Sequence, residues 1–187
     1  MLVVLGIIIL ISVVVMPTVG SYFQLSLNSA TRDLATTIKE SFNSSSVTGK
    51  VHRIAYDLKN HSYWVESASS QVLVETKQSK EREERRKKFS KSAATPQKPF
   101  NLETNITRKK ISLPRGVEFE DVLTQQSSTP ITEGTAYTHF FPHGLTEQTI
   151  IHLKDQSKHH SSLVISPIIG TTDVYDRYIN ENEAFGK

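Results

Sequence analysis

The sequence predicts an α+β fold in which a long N-terminal α-helix, its first half membrane-spanning, packs on an antiparallel β-sheet. Three observations carry that prediction. An almost unbroken apolar run opens the chain over residues 1–16. A one-sided apolar stripe continues it as far as Phe42. The remainder alternates in short segments separated by turn residues. Helical periodicity thus gives way once, near residue 49, to the period of two that marks strands.

The opening run comes first. From Met1 to Thr31 no side chain carries a charge. Its roughly 15–19 apolar residues make about 25 Å of helix at about 1.5 Å per residue, against a hydrocarbon layer of about 30 Å. The run reads as a short membrane span, or as a full span whose first residues lie upstream. A cleaved secretory signal has a basic start and a small-residue cleavage site. This segment has neither, so it reads as a helix retained in the product. The competing reading is a buried core helix, but nothing downstream is apolar enough to surround one. The nearest basic residues, Arg32 and Lys39, both lie C-terminal to the run, so charge asymmetry assigns no orientation. Pro17 predicts a bend. Gly6 and Ser12 suit close helix–helix approach, and equally suit ordinary small residues facing lipid.

Beyond Pro17 the apolar residues Phe23, Leu27, Ala30, Leu34, Ile38 and Phe42 recur at spacings of four, three, four, four and four. That is one face of an amphipathic helix. Arg32, Asp33, Lys39 and Glu40 lie off the stripe. The helix is expected to end near residues 46–48, with Gly49 as its C′ residue. Phe23, Leu27, Leu34, Ile38 and Phe42 are the residues expected to pack on the sheet.

Strand signals follow at once. His52-Arg-Ile-Ala-Tyr-Asp-Leu58 places Ile54, Tyr56 and Leu58 on one face. Lys59-Asn-His61 is a turn, and Ser62-Tyr-Trp-Val-Glu66 completes a hairpin. Gln71-Val-Leu-Val-Glu75 reads as a short third strand. Residues 77–91 are dominated by Lys, Arg and Glu, with Glu81/Arg85, Glu83/Lys87 and Glu84/Lys88 paired at i,i+4. This is a solvated helix or an insertion, with Thr95-Pro-Gln-Lys-Pro-Phe100 as linker. Three glutamates among its bases favour a solvated surface over a binding site for acidic partners. Ile111-Ser-Leu-Pro-Arg-Gly-Val-Glu-Phe-Glu120 holds a Pro-x-Gly turn leading into a strand. Residues 136–141, 148–153 and 162–166 read as three more strands, the first two joined by a tight turn at Pro142-His-Gly144. The chain therefore divides into a membrane or filament-core half-helix (1–19), an amphipathic half-helix (20–48) and a β-rich domain (49–187) with a charged insertion at 77–99.

Composition narrows the function. A net charge of +3 argues against a dedicated nucleic-acid binder. No Cys is present, so disulfides and thiolate metal sites are excluded. His139 and His143 lie four apart, but Pro142 separates them in a strand-and-turn context. Exposed turn histidines are the better reading there, and His159-His160 reads as a polar loop. Asp173 and Asp176 are the candidates for Ca²⁺, without the regular ligand spacing of a calcium loop; otherwise no cofactor is expected. No nucleophile elbow and no Gly-rich phosphate loop appears, so an enzyme is not expected.

At several points the chain resembles the type IV pilin-like proteins, and more narrowly the H-type minor pseudopilins of type II secretion, the GspH/FimT-like group. The opening Leu2-Val-Val-Leu-Gly-Ile-Ile8 matches the apolar start of a mature pilin helix, and Pro17 sits like the helix-bending proline of many pilins. Lys50-Val-His-Arg-Ile-Ala-Tyr-Asp-Leu58 with Tyr63-Trp-Val-Glu66 is similar to that group's first hairpin. Leu113-Pro-Arg-Gly-Val117, Phe140-Phe-Pro-His-Gly144 and Ile165-Ser-Pro-Ile-Ile-Gly170 are similar to its C-terminal motifs.

The resemblance implies a non-enzymatic subunit held in the bacterial inner membrane, its globular domain in the periplasm. Leu2, Val3, Val4, Leu5, Gly6, Ile7, Ile8 and Pro17 would serve membrane insertion and helix packing in a filament. The implied partners are other pseudopilins, inner-membrane lipid and, during maturation, a prepilin peptidase. The leader, processing site, methylated N-terminal residue and assembly carboxylate of that group have no matching position here, and are expected upstream of Met1. Two alternatives stand beside this reading: a minor pilin of a type IV pilus serving adhesion, motility or DNA uptake, and a signal-anchored periplasmic adaptor that never polymerises.

Overall fold

The computed structural model describes residues 2–68, 100–127, 129–167 and 170–186, with the side chains of residues 2, 3 and 5–21 outside that description. The strand expected at residues 71–75 and the charged insertion at 77–99 lie outside the described residues.

Helix α1 spans Leu2–Thr48 and is continuous through Pro17. Gly49 ends it at φ +65, its amide donating to the carbonyl of Ser45 at 3.1 Å. Only a residue that tolerates a left-handed backbone closes a helix this way. The β1 (Val51–Asp57) and β2 (Ser62–Ala68) strands follow as an antiparallel hairpin. The Asp57 carboxylate accepts from the Asn60 amide at 3.0 Å and fixes the turn. Two-residue strands β3 (Asn101–Leu102) and β4 (Ile111–Ser112) both pair with β2. The expected Pro-x-Gly turn is present, the Val117 amide donating to the Pro114 carbonyl at 3.1 Å. It launches β5 (Val117–Thr124), which bulges between Phe119 and Asp121. β6 (Thr135–Phe140), β7 (Thr149–Asp155), β8 (His160–Ile165), β9 (Thr172–Tyr175) and the short helix α2 (Glu181–Phe185) complete the order.

The fold is α+β, as expected, but the strands form two antiparallel sheets. Sheet A runs β3-β2-β1-β6 with β4 also on β2, and sheet B runs β5-β7-β8-β9. The chain passes between the sheets at the tight turn expected after β6. The turn at Pro142-His-Gly144 exists, with the Gly144 amide donating to the Phe141 carbonyl, yet β6 and β7 are not hairpin partners. β6 pairs with β1 and β7 with β5 and β8. The turn carries the chain from one sheet to the other. Inside, the sheets are tied by the Thr138 hydroxyl donating to that of Thr149 at 3.0 Å.

The main core lies between α1 and the inner faces of both sheets. It joins Leu27, Leu34 and Ile38 of α1 to Ile54, Tyr56, Val65 and Phe140 of sheet A and to Phe119, Ile151, Leu153, Leu163 and Ile165 of sheet B. Ile150 and Val164 belong to a separate apolar cluster on the outer face of sheet B, closed by Ile179. Strands β7 and β8 are thus covered on both faces, which explains why their sequences run apolar without clean alternation.

Candidate functional site

The candidate site is α1 and its seat. Leu27, Leu34 and Ile38 are at most 2% exposed, while Phe23 and Phe42 are half-buried at the two ends of the stripe. The buried face is wider than the apolar stripe, because Thr31, Thr37, Ser41 and Ser45 are buried too. Their hydroxyls are accommodated locally: Thr31 donates to the Leu27 carbonyl at 2.8 Å, Thr37 to Asp33 at 2.9 Å, Ser41 to Thr37 at 2.7 Å and Ser45 to Phe42 at 2.7 Å. Back-bonding of this kind lets a polar residue sit in a core with its donor satisfied. Thr31 also lies 3.1 Å from the Ser161 hydroxyl of β8.

The two terminal rings of the stripe are seated on glycines. A Cβ built on Gly116 would stand 2.6 Å from Cδ1 of Phe23, and one on Gly170 would stand 2.7 Å from Cγ of Phe42. A Cβ on Gly144 would meet the far edge of Phe42 at 4.0 Å. Gly116, Gly144 and Gly170 all have positive φ. These are the glycines of the three C-terminal motifs in the sequence. Their role is to bring loop backbone close against the rings of the helix.

Of the residues expected to serve the membrane or a filament, Val4 is 58% exposed. The side chains of Leu2, Val3, Leu5, Gly6, Ile7, Ile8 and Pro17 lie outside the described residues. No helix among the described residues is long and apolar enough to cross a membrane, and within the apolar run at 2–19 only the side chain of Val4 is described. Just beyond it, Tyr22 and Leu25 are 62% and 68% exposed on α1.

His139 and His160 depart from the sequence reading, while His143 and His159 are exposed outside the strands as expected. His143 is exposed in its turn, but His139 is buried, its Nδ1 2.7 Å from Oε2 of Glu147. His152 is buried against Asp121, Nδ1 to Oδ1 2.7 Å. His159 and His160 pair with Asp155 and Glu120 at 2.7 and 2.8 Å. Each ring is thereby tied to one carboxylate. Among the described residues no group of three or more His, Asp or Glu side chains gathers as a metal site. Asp173 on β9 and Asp176 just after it are both exposed.

Tyr178, Asp121 and His152 also form a connected trio. The Tyr178 hydroxyl donates to Oδ2 of Asp121 at 3.1 Å, and the Tyr178 and His152 rings stack with centroids 3.8 Å apart. Burial and the neighbouring Asp121 push the Tyr178 hydroxyl up to about 12. Nε2 of His152 meets the Ile179 carbonyl at 3.0 Å. Both ring nitrogens are occupied by structure, so the trio offers no general base to a substrate.

His52 behaves differently. It is fully buried where α1 meets β1, its Nε2 3.2 Å from the Ser44 hydroxyl and its Nδ1 3.3 Å from the Lys50 carbonyl. Burial holds its protonation below the usual 6.5, against the opposing pull of the Lys50 carbonyl and Glu103. The unfolded chain therefore takes up this proton at higher pH than the folded one, and stability falls as pH drops below 6.5. Urea midpoints are expected to decline from about pH 7 to about pH 5, and less steeply in His52→Gln. Equal slopes in the two proteins would remove His52 from the account.

No family model matches the chain, and no curated protein matches it at a significant level. Comparison with solved structures finds the minor pseudopilin EpsH from the type II secretion system of Vibrio cholerae in two structures. They match at TM-scores of 0.52 and 0.54 with 7% and 8% identity, covering 81% and 86% of this chain and 97% and 99% of theirs. The chain has the minor-pseudopilin fold.

Proposed function

We propose that this chain is a minor pseudopilin, a structural subunit of a type II secretion pseudopilus that takes part in protein export across the outer membrane. In this reading residues 1–19 anchor it in the inner membrane, and the domain from residue 49 onward faces the periplasm. A prepilin peptidase matures it, and its N-terminal helix then leaves lipid to pack against the helices of other pseudopilins. The observation that carries the reading is the division of labour along α1. From Leu2 to the ring seat at Phe23 the helix rises about 32 Å, enough to cross a hydrocarbon layer of about 30 Å. The uncharged sequence of that stretch suits lipid and neighbouring helices alike. Beyond Phe23 the same helix is committed to its own domain.

Cysteine crosslinking tests this directly, because the chain has no Cys of its own. Leu25→Cys, on the exposed side of α1, is expected to crosslink to single cysteines in the helices of co-resident pseudopilins in inner-membrane preparations. Deleting the chain is expected to leave exported enzymes in the periplasm. Capture of a monomer alone, with export intact, would sink the proposal. Loss of adhesion, motility or DNA uptake with export intact would point to a type IV pilus instead.

A further inference from the structure

The outer face of sheet B is covered by the chain's own C-terminus. Leu123 of β5, Ile150 of β7 and Val164 of β8 form its apolar part, under Ile179, Ala184 and Phe185. Ile179 is 1% exposed, yet helix α2 has no fully buried residue. What positions the covering segment is largely polar. The Ser162 hydroxyl donates to the Arg177 carbonyl at 2.6 Å and accepts from the Ile179 amide at 3.1 Å. His152 holds the Ile179 carbonyl and Asp121 holds the Tyr178 hydroxyl.

His152 is the centre of this clasp, and both of its nitrogens face acceptors. Nδ1 meets the Asp121 carboxylate and Nε2 meets a backbone carbonyl, with the two side chains 3% and 7% exposed. A neutral imidazole has one N–H and serves one acceptor. Satisfying both requires one further proton held between His152 and Asp121. Without it, either Oδ1 of Asp121 or the Ile179 carbonyl loses its donor in a buried site, although Oδ2 keeps the Tyr178 hydroxyl.

We propose that residues 176–186 form a proton-dependent strap, clasped to sheet B by the protonated His152–Asp121 pair and released when that proton leaves. The groups facing the clasp are Asp121 from β5, His160 on β8 edge-on to the Tyr178 ring, and Tyr178 itself on the strap. Glu120 is held by His160, and Arg177 is held within the strap by Glu183. Release would uncover Leu123, Ile150 and Val164. This inference does not depend on the filament role.

Hydrogen–deuterium exchange of the full chain in detergent micelles tests it, with rates corrected for the intrinsic effect of pH. The Ile179 amide is expected to lose at least tenfold protection as the pH is raised, in step with the loss of the second ring N–H of His152. The Ile151 amide of β7 should keep its own, showing that the sheet stays folded. Side-chain nitrogen NMR should find two N–H groups on the His152 ring at the lower pH and one at the higher. His152→Phe, which keeps a stacking ring without donors, should leave Ile179 unprotected at both. Flat protection of Ile179 in the native chain, or a pH-dependent profile that survives His152→Phe, would overturn the proposal. Should that variant fail to fold, the native profile and ring spectrum decide alone.

Discussion

Gly170→Ala is expected to lower the stability of the domain by about 2–5 kcal/mol, read as a reduced urea midpoint at unchanged slope. Two costs combine. Gly170 has φ +60, a backbone conformation that costs an L-residue about 1–2 kcal/mol. The new methyl would also meet the ring of Phe42 near its Cγ, close to the helix backbone, where the ring has little room to swing. Overpacking of that kind costs about 1–3 kcal/mol. A double-mutant cycle separates the two. Combining Gly170→Ala with Phe42→Leu should relieve the clash and leave the backbone cost, so the two effects should fall short of adding. Strict additivity would mean that ring and glycine do not meet. Gly116→Ala should be milder, because its added methyl meets the outer atoms of the Phe23 ring.

Leu34→Ala is expected to cost about 3–4 kcal/mol, the range for a fully buried leucine whose neighbours cannot collapse into the space. Leu34 has no exposed surface and lies in the middle of the helix stripe, between Ala30 and Ile38. The variant should unfold at a lower urea concentration. A loss below about 1 kcal/mol would show that the helix re-seats around the cavity. Leu25→Ala, on the exposed side of the same helix, is the control and should shift stability by less than about 0.5 kcal/mol.

Some of this was legible from residue order alone. Leu27, Leu34 and Ile38 announce themselves because a helix repeats every 3.6 residues and nothing else spaces apolar side chains that way. The helix end at Gly49 and the turn at Gly116 were legible because positive φ favours glycine so strongly. Thr31, Thr37, Ser41 and Ser45 were not, since their burial depends on hydroxyls returning to their own helix. The split into two sheets was hidden by local chemistry. Pro142-His-Gly144 has the composition of a hairpin turn, and only the long-range pairing of β6 with β1 shows that it serves a crossing. The short edge strand β9 carried too little pattern to stand out. For His139 the deciding partner is Glu147, eight positions away on the far side of the turn. Residue type alone suggested a loop or a turn where the fold places a buried pair.

Helix α1 touches β1 and β6 of sheet A and β5, β7, β8 and β9 of sheet B. That arrangement has a mechanical consequence. A pull on α1 along its own axis loads the seat from Leu27 to Phe42 in shear, over about 22 Å, with both sheets resisting together. Peeling one sheet away from the helix would need a force across the axis. Sliding requires Leu27, Leu34 and Ile38 to leave their sites at the same moment, and the rings of Phe23 and Phe42 to climb off their glycines. A force along the helix axis therefore moves helix and domain as one piece.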